Sequence, residues 1–75
     1  MKSWYRLIEF PKTKVLHSLT IGKIYRVYTG GWFMKEYLIC VYEDNGKVGS
    51  NINLDCFEEL DPRYSQILEM FHNIK

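Results

Sequence analysis

Three segments in the first sixty residues are rich in β-branched and aromatic side chains, a composition typical of β-strands, and two shorter, more polar segments follow them. The second segment alternates, with Tyr25 and Val27 on one face and Arg26 and Tyr28 on the other. The third, YLICVY, is almost continuously apolar, which indicates a strand that is covered on both faces. The predicted strands are Trp4–Phe10, Lys23–Thr29, Tyr37–Glu43, Lys47–Asn51 and Phe57–Leu60.

The first strand carries large apolar side chains on both of its faces. Ile8 and Phe10 fall on one face, whereas Leu7 is the aliphatic residue of the other. The pattern leaves two inward faces open, and it favours Trp4, Arg6, Ile8 and Phe10 over Tyr5, Leu7 and Glu9.

Proline and glycine mark the predicted ends of these strands. Pro11 ends the first strand, because it has no N–H to donate to a sheet. Gly30-Gly31 predicts a turn, since glycine adopts positive φ at little cost. The Asp-Asn-Gly sequence at 44–46 predicts a tight hairpin turn with left-handed residues. Residues 53–56 predict a single helical turn before the last strand.

The hydrophobic period changes to that of a helix after Asp61. Asp61 suits the N-cap and Pro62 the first helical position, so a helix is predicted over about 62–74. Its apolar face is predicted to seal the sheet behind the third strand, or else to dock a partner or a second copy of the chain. The apolar face consists of Tyr64, Ile67, Leu68, Phe71 and Ile74, opposite Arg63, Gln66, Glu69 and Asn73.

The length of the chain, 75 residues, predicts one domain, with a barrel over about 3–60 followed by the helix. A domain this small needs unusually large core residues or other help to be stable. Aromatic residues make up 16% of the chain and supply that bulk. Tyr25, Val27, Ile39 and Val41 are predicted to lie in the core.

Charge and cysteine content narrow the cellular setting. The net charge of +1 gives no general attraction to nucleic acid or membranes. The two halves differ, however: residues 1–35 hold seven basic residues and one acid, whereas residues 36–75 hold eight acids and three basic residues. Cys40 and Cys56 have no paired spacing, which favours a reduced, cytoplasmic protein. No segment approaches the roughly 18 apolar residues that span a bilayer, so no membrane partner is expected.

The sequence offers no arrangement of residues that points to an enzyme. His17 and His72 lie in different elements, and no serine or cysteine has a recognisable base beside it. The histidines and the cysteines Cys40 and Cys56 lack the short-spaced pairs of a structural zinc site. We therefore expect no catalytic residues, no metal and no cofactor.

Three segments of the chain resemble a known class of small proteins. These are LTIGKIYRV at 19–27, EDNGK at 43–47 and FEEL at 57–60. Over about residues 15–60 they are similar to the small Src-homology-type (SH3-like) β-barrels encoded in phage and prophage genomes. The resemblance implies a five-stranded antiparallel barrel and a non-enzymatic accessory protein, since some such proteins act by binding host proteins. It supplies no catalytic residues.

The chain departs from this pattern in two places: the hairpin between the second and third predicted strands, and the added C-terminal helix. The hairpin carries Trp32, Phe33 and Met34, the kind of apolar group that anchors a protein interface. One hypothesis is that these residues bind a bacterial host protein and modulate or inhibit it, with Trp32 and Phe33 as central anchors and Tyr28 or Lys35 at the rim. The alternative is that this tip folds back and covers one end of the barrel.

Two further functions stay open at this point. Arg6, Arg26, Tyr28 and Lys35 combine basic and aromatic side chains, which suits a surface that stacks single-stranded nucleic acid. Alternatively, the helix or an exposed strand edge pairs two copies of the chain into a homodimer.

Overall fold

The computed structural model describes residues 4–12 and 16–73. Five antiparallel strands form one open sheet in the order β4-β3-β2-β1-β5, and one helix follows them. A 3-10 turn at Leu54–Cys56 separates the last two strands, as predicted. The elements are β1 (Trp4–Leu7), β2 (Ile24–Phe33), β3 (Glu36–Tyr42), β4 (Val48–Asn53), β5 (Phe57–Glu59) and α1 (Pro62–Asn73).

One face of the sheet holds the hydrophobic core. The predicted core residues Tyr25, Val27, Ile39 and Val41 are all buried there. Ile39, Val41, Leu7 and Ile52 have no exposed surface at all. The whole cluster is Tyr5, Leu7, Leu19, Tyr25, Val27, Ile39, Val41, Ile52, Cys56 and Phe57.

The inward face predicted for β1 is wrong. Tyr5 and Leu7 are buried, and the strand ends at Leu7, so that Ile8 and Phe10 lie beyond it and are half exposed. The reason is the register, because Tyr5 lies opposite Tyr25 of β2 and must share its buried face. The partner strand, rather than the composition of β1, decides which side chains enter the core.

The turn predicted at Gly30-Gly31 is also wrong. Strand β2 continues through both glycines to Phe33, which pairs with Glu36, so the turn consists of Met34 and Lys35. A shift in register between Val27 and Thr29 leaves one extra residue in β2 at this point. The hairpin is therefore longer than predicted, and its outer half extends past the core.

The turn between β3 and β4 lies at the predicted Asp-Asn-Gly sequence, but with different geometry. Only Gly46 adopts a positive φ, of 82°, and Asn45 does not. The Gly46 N–H donates to the Glu43 carbonyl at 3.0 Å, and the Glu43 N–H donates to the Lys47 carbonyl at 2.8 Å. One left-handed residue is thus enough to close the loop.

Helix α1 begins as predicted, with the Asp61 side chain accepting a hydrogen bond from the Arg63 N–H at 2.8 Å. The helix does not seal the sheet behind β3, however. Its residues that turn towards the sheet contact Trp4 and Arg26, on the face opposite the core. Of the predicted apolar face, Tyr64, Ile67 and Phe71 are exposed and Leu68 is half buried, while Ile74 lies outside the described residues. Within the described ranges, no helix is long and apolar enough to cross a membrane.

Candidate functional site

The structure separates the predicted site residues into two surfaces. The first is the hairpin tip, which we define as residues 30–38 of β2, β3 and their turn. It contains Trp32, Phe33, Met34 and Lys35. The second is the outer sheet face, opposite the core, which contains Arg6, Arg26 and Tyr28. Tyr28 therefore belongs with the arginines and not at the rim of the hairpin tip.

The hairpin tip carries the most exposed aromatic side chains of the sheet. Trp32 is 73% exposed, Phe33 62% and Met34 87%. Because Trp32 and Phe33 are neighbours in a strand, they project from opposite faces of the hairpin. Trp32 stacks edge-on against Tyr37, its partner across the hairpin, with 5.2 Å between ring centroids. The tip thus presents large apolar groups on both of its faces.

The turn at the end of the hairpin contains an unfavourable backbone conformation. Met34 has a φ of 57°, in the left-handed region that side chains other than glycine seldom adopt. This conformation costs a non-glycine residue roughly 1–2 kcal/mol. Met34 is exposed, so no burial of its side chain offsets that cost. Folding alone would favour glycine at this position.

A groove of about 410 Å³ runs along the outer side of the hairpin tip. Thr29, Gly31 and Phe33 of β2 line it, together with Leu38 and Cys40 of β3. Gly31 lies between Thr29 and Phe33, and a Cβ atom placed on it would meet no atom within 4 Å. The missing side chain of Gly31 therefore leaves the floor of the groove open.

Helix α1 contacts the outer sheet face through Glu69. Glu69 accepts a hydrogen bond from the Trp4 indole N–H at 3.0 Å and lies 3.6 Å from Nε of Arg26. The Trp4 hydrogen bond, with Arg26 nearby, lowers the pKa of the Glu69 carboxyl below its ordinary value. Arg26 also lies 5.9 Å from the ring centre of Tyr42, which stacks edge-on against Tyr28. The positive charge of Arg26 is consequently already paired within the chain.

Of the other basic residues of the predicted nucleic-acid surface, Arg6 lies diagonally across the β1–β2 pairing from Arg26 on the same face, whereas Lys35 lies apart from both. Arg6 forms a salt bridge with Glu58 of β5 at 3.0 Å. Lys35 belongs to the hairpin turn, which follows the far end of β2 from Arg26. At about 3.3 Å per residue, seven residues of strand place it more than roughly 20 Å away along β2. The structure does not bring Arg6, Arg26 and Lys35 together as one basic surface.

A hydrogen-bond network centred on Asp44 was not predicted from the sequence. Asp44 accepts hydrogen bonds from Lys23 and from the Thr20 hydroxyl, and the Tyr25 hydroxyl donates to both of its oxygens at 3.1 Å. The Lys23 hydrogen bond lowers the pKa of Asp44, and the same bond raises the pKa of Lys23. Burial raises the pKa of Tyr25. The network joins the 19–27 segment to the acidic turn, and both motifs therefore serve the scaffold.

A buried polar contact fixes the segment before β2. The Glu43 carboxylate lies 2.7 Å from Nδ1 of His17 and accepts a hydrogen bond from the Ser18 N–H at 2.6 Å. Both side chains of the His17–Glu43 pair are almost fully buried. Gly49 leaves the space for this carboxylate, since a Cβ there would lie 1.5 Å from Glu43 Oε2. Little in the sequence indicated this pair, because His17 and Glu43 lie 26 positions apart in separate segments.

Among residues 4–12 and 16–73, no three His, Cys, Asp or Glu side chains cluster closely enough to hold a metal ion. Comparisons of the chain with family models, with curated proteins and with solved structures each find no match. The case for a function therefore depends on the geometry of the hairpin tip and the outer sheet face.

Proposed function

We propose that this protein is a non-enzymatic interaction module that binds another protein through the hairpin tip. The observation that carries the proposal is the exposure of Trp32, Phe33 and Met34 at the end of a hairpin that extends beyond the core. Tryptophan and other large side chains dominate the binding energy of protein interfaces. Grouped at the end of one hairpin, these three side chains are well placed to enter a complementary cleft.

The strained turn adds support for the proposal. The two-residue turn requires a positive φ, but methionine is less favourable there for folding than glycine, whereas strain of this kind concentrates at binding sites. If Met34 contacts a partner, its side chain has a role that glycine cannot fill. The binding surface then includes the turn itself, with Lys35 beside it.

We further propose that the sheet curves into a small Src-homology-type barrel, the architecture of the phage proteins that the sequence resembles. Strand β1 pairs with both β2 and β5, which brings the last strand back beside the first. Helix α1 contacts the outer face, yet Leu7, Ile39 and Ile52 on the core face have no exposed surface. Strong curvature of the sheet around these residues accounts for their burial.

The partner in this proposal is a protein of the bacterial host, bound in the cytoplasm. Cys40 and Cys56 are free thiols, which suits a reducing compartment. Nucleic acid is the less favoured partner, because Arg6 and Arg26 already have acidic partners and Lys35 lies apart from them. Binding acts by occupying the partner's surface, so that other molecules cannot reach it.

A capture experiment from bacterial lysate tests the proposal. Immobilised wild-type protein is compared with a Trp32→Ala/Phe33→Ala variant, and captured proteins are identified by mass spectrometry. We expect a specific host protein on the wild type and its loss from the variant. A Tyr64→Ala/Phe71→Ala variant is the matched control, because it also removes two exposed aromatic side chains, in this case from helix α1.

The control distinguishes the hairpin tip from the helix. Capture that survives in the helix variant and is lost in the tip variant supports the proposal. Capture that survives in the tip variant and is lost in the helix variant assigns binding to α1 and overturns it. Light scattering on the same three proteins shows whether the captured species is a second copy of the chain.

A further inference from the structure

The glycine at position 31 is not required by the fold. Its φ is not positive, and a Cβ atom on it would meet no atom within 4 Å. A glycine inside a strand weakens the strand, because it loses more conformational freedom on folding and offers no side chain to pack. A β-branched residue would therefore suit this position better if folding were the only requirement.

The neighbouring Gly30 is different, and the difference is informative. A Cβ on Gly30 would lie 3.0 Å from Ile39 Cγ2 and 3.0 Å from a ring carbon of Tyr37. Packing within the chain therefore accounts for Gly30. Nothing within the chain accounts for Gly31, which leaves an approach from outside as the physical reason for a glycine.

The surroundings of Gly31 define what can approach. Gly31 forms the floor of the groove on the outer side of the hairpin tip, between Thr29 and Phe33 on one strand and Leu38 and Cys40 on the other. No lining residue carries a formal charge. An ionised group would lose its hydration there without gaining a partner, so the occupant is uncharged. Thr29 and Asn51 provide the groove with polar atoms.

We propose that this groove receives one uncharged aliphatic or aromatic side chain of the partner protein, seated over Gly31. A volume of about 410 Å³ holds such a side chain together with part of its backbone. The proposal rests on the proposed function only in that the occupant belongs to a protein. Trp32 and Met34 then insert into the partner, whereas the Gly31 groove receives a side chain of the partner.

Capped amino acids serve as probes of this groove. The ¹⁵N-labelled protein is titrated with N-acetyl-phenylalaninamide, N-acetyl-leucinamide and N-acetyl-lysinamide, up to roughly 20 mM, because ligands this small reach only about millimolar affinity. We expect saturable shifts of the Gly31, Leu38 and Cys40 amide signals with the two apolar probes. The lysine probe is expected to bind at least roughly tenfold more weakly, because the groove offers no counter-charge.

Two variants make the result specific. Gly31→Val fills the floor of the groove without a clash and is expected to weaken both apolar probes at least roughly tenfold, with an unchanged or raised unfolding midpoint. Ser50→Val adds the same side chain at an exposed position of β4 outside the groove, and should bind the probes as the wild type does.

Several outcomes would overturn the groove proposal: no saturable shift at these amides, equal binding of the lysine probe, or unchanged binding by Gly31→Val. So would an oligothymidylate that shifts the same signals in a salt-dependent manner while the apolar probes do not. These results are separable from the capture experiment. If removing Trp32 and Phe33 abolishes capture but no probe binds, the interaction module is supported and the groove is rejected. If the probes bind as expected but capture survives the removal of Trp32 and Phe33, the groove is supported and the proposed function is rejected.

Discussion

Strands β2 and β3 form one hairpin with two halves of opposite character. In the inner half, Val27 lies opposite Val41, and both are buried in the core. In the outer half, Trp32 lies opposite Tyr37, and Trp32 is mostly exposed. The same backbone pairing therefore continues past the point where the core ends. The hairpin beyond that point carries Trp32 and Phe33 outside the core.

The glycines of the sheet also differ from one another. Gly49 and Gly30 each leave room for a neighbouring side chain, whereas Gly31 leaves room for nothing in the chain. Contacts within the chain therefore explain Gly49 and Gly30 but not Gly31. The outer half of the hairpin, where we propose binding, combines this open space with exposed bulk and the positive φ of Met34.

The largest expected effect of a single substitution lies in the inner half. Ile39→Ala should lower the free energy of unfolding by about 2–4 kcal/mol, because it opens a cavity at a residue with no exposed surface. Phe33→Ala, in the outer half, should change it by less than about 0.5 kcal/mol. Urea unfolding followed by circular dichroism measures both. Similar losses for the two variants would show that the outer half is part of the folding core.

Glycine substitutions sharpen the comparison. Gly49→Ala should destabilise the protein by about 1–3 kcal/mol, because the new methyl displaces the Glu43 carboxylate from His17 and Ser18. Gly31→Ala should leave stability unchanged or raise it by up to about 1 kcal/mol. Thermal unfolding of the two variants in parallel provides the measurement. A Gly31→Ala variant less stable than wild type would mean that the fold does require this glycine.

Asp44→Asn tests the network that joins β2 to the acidic turn. The folded-state pKa of Asp44 lies below 3.8, so the carboxylate contributes stability above that pH and loses it as the pH falls through the folded value. The pKa of Lys23 lies above 10.5, and its contribution is lost only as the pH rises through that higher value. Wild type should therefore exceed Asp44→Asn in stability throughout the neutral range, and the difference should shrink below pH 3.8. A difference that does not change between neutral and strongly acidic pH would remove the charge of Asp44 from the explanation.

The smallest effect is expected at the hairpin turn, and its sign is the informative part. Met34→Gly relieves the left-handed backbone and should raise the free energy of unfolding by about 0.5–1 kcal/mol, after allowance for the greater freedom of glycine in the unfolded chain. The same variant should bind the captured partner more weakly. Chemical denaturation and a binding titration on one preparation measure both quantities. A variant that is more stable and binds equally well would leave the strain at Met34 without a function.

The sequence predicted most of the strands and the helix, but it did not correctly predict which faces of β1 and α1 are buried. The alternation of Tyr25 and Val27 and the cap at Asp61 were sufficient, because each depends on residues close together in the chain. The inward face of β1 was predicted wrongly because it is determined by Tyr25 in the partner strand. The rotation of α1 was missed because Trp4 and Arg26 draw Glu69 towards the sheet, which turns most of the predicted apolar face outward.

The candidate site, too, could be predicted from the sequence only in part. Trp32, Phe33 and Met34 were recognisable from their bulk beside two glycines. However, the sequence predicts a turn at those glycines, and it gives no indication of the groove over Gly31. A pair of glycines gives the same sequence signal whether it bends a chain or opens a strand, and only the contacts around each one distinguish the two.

The most direct test of the account compares the affinity of the captured partner for wild type and for Trp32→Ala/Phe33→Ala, with the unfolding free energy of both proteins measured alongside. We predict an affinity loss of at least roughly 30-fold, the effect of removing an interface residue that contributes about 2 kcal/mol, with stability changed by less than about 1 kcal/mol. Equal affinities for the two proteins, or an affinity loss that merely follows a loss of folded protein, would contradict the claim that the outer half of the hairpin exists for binding.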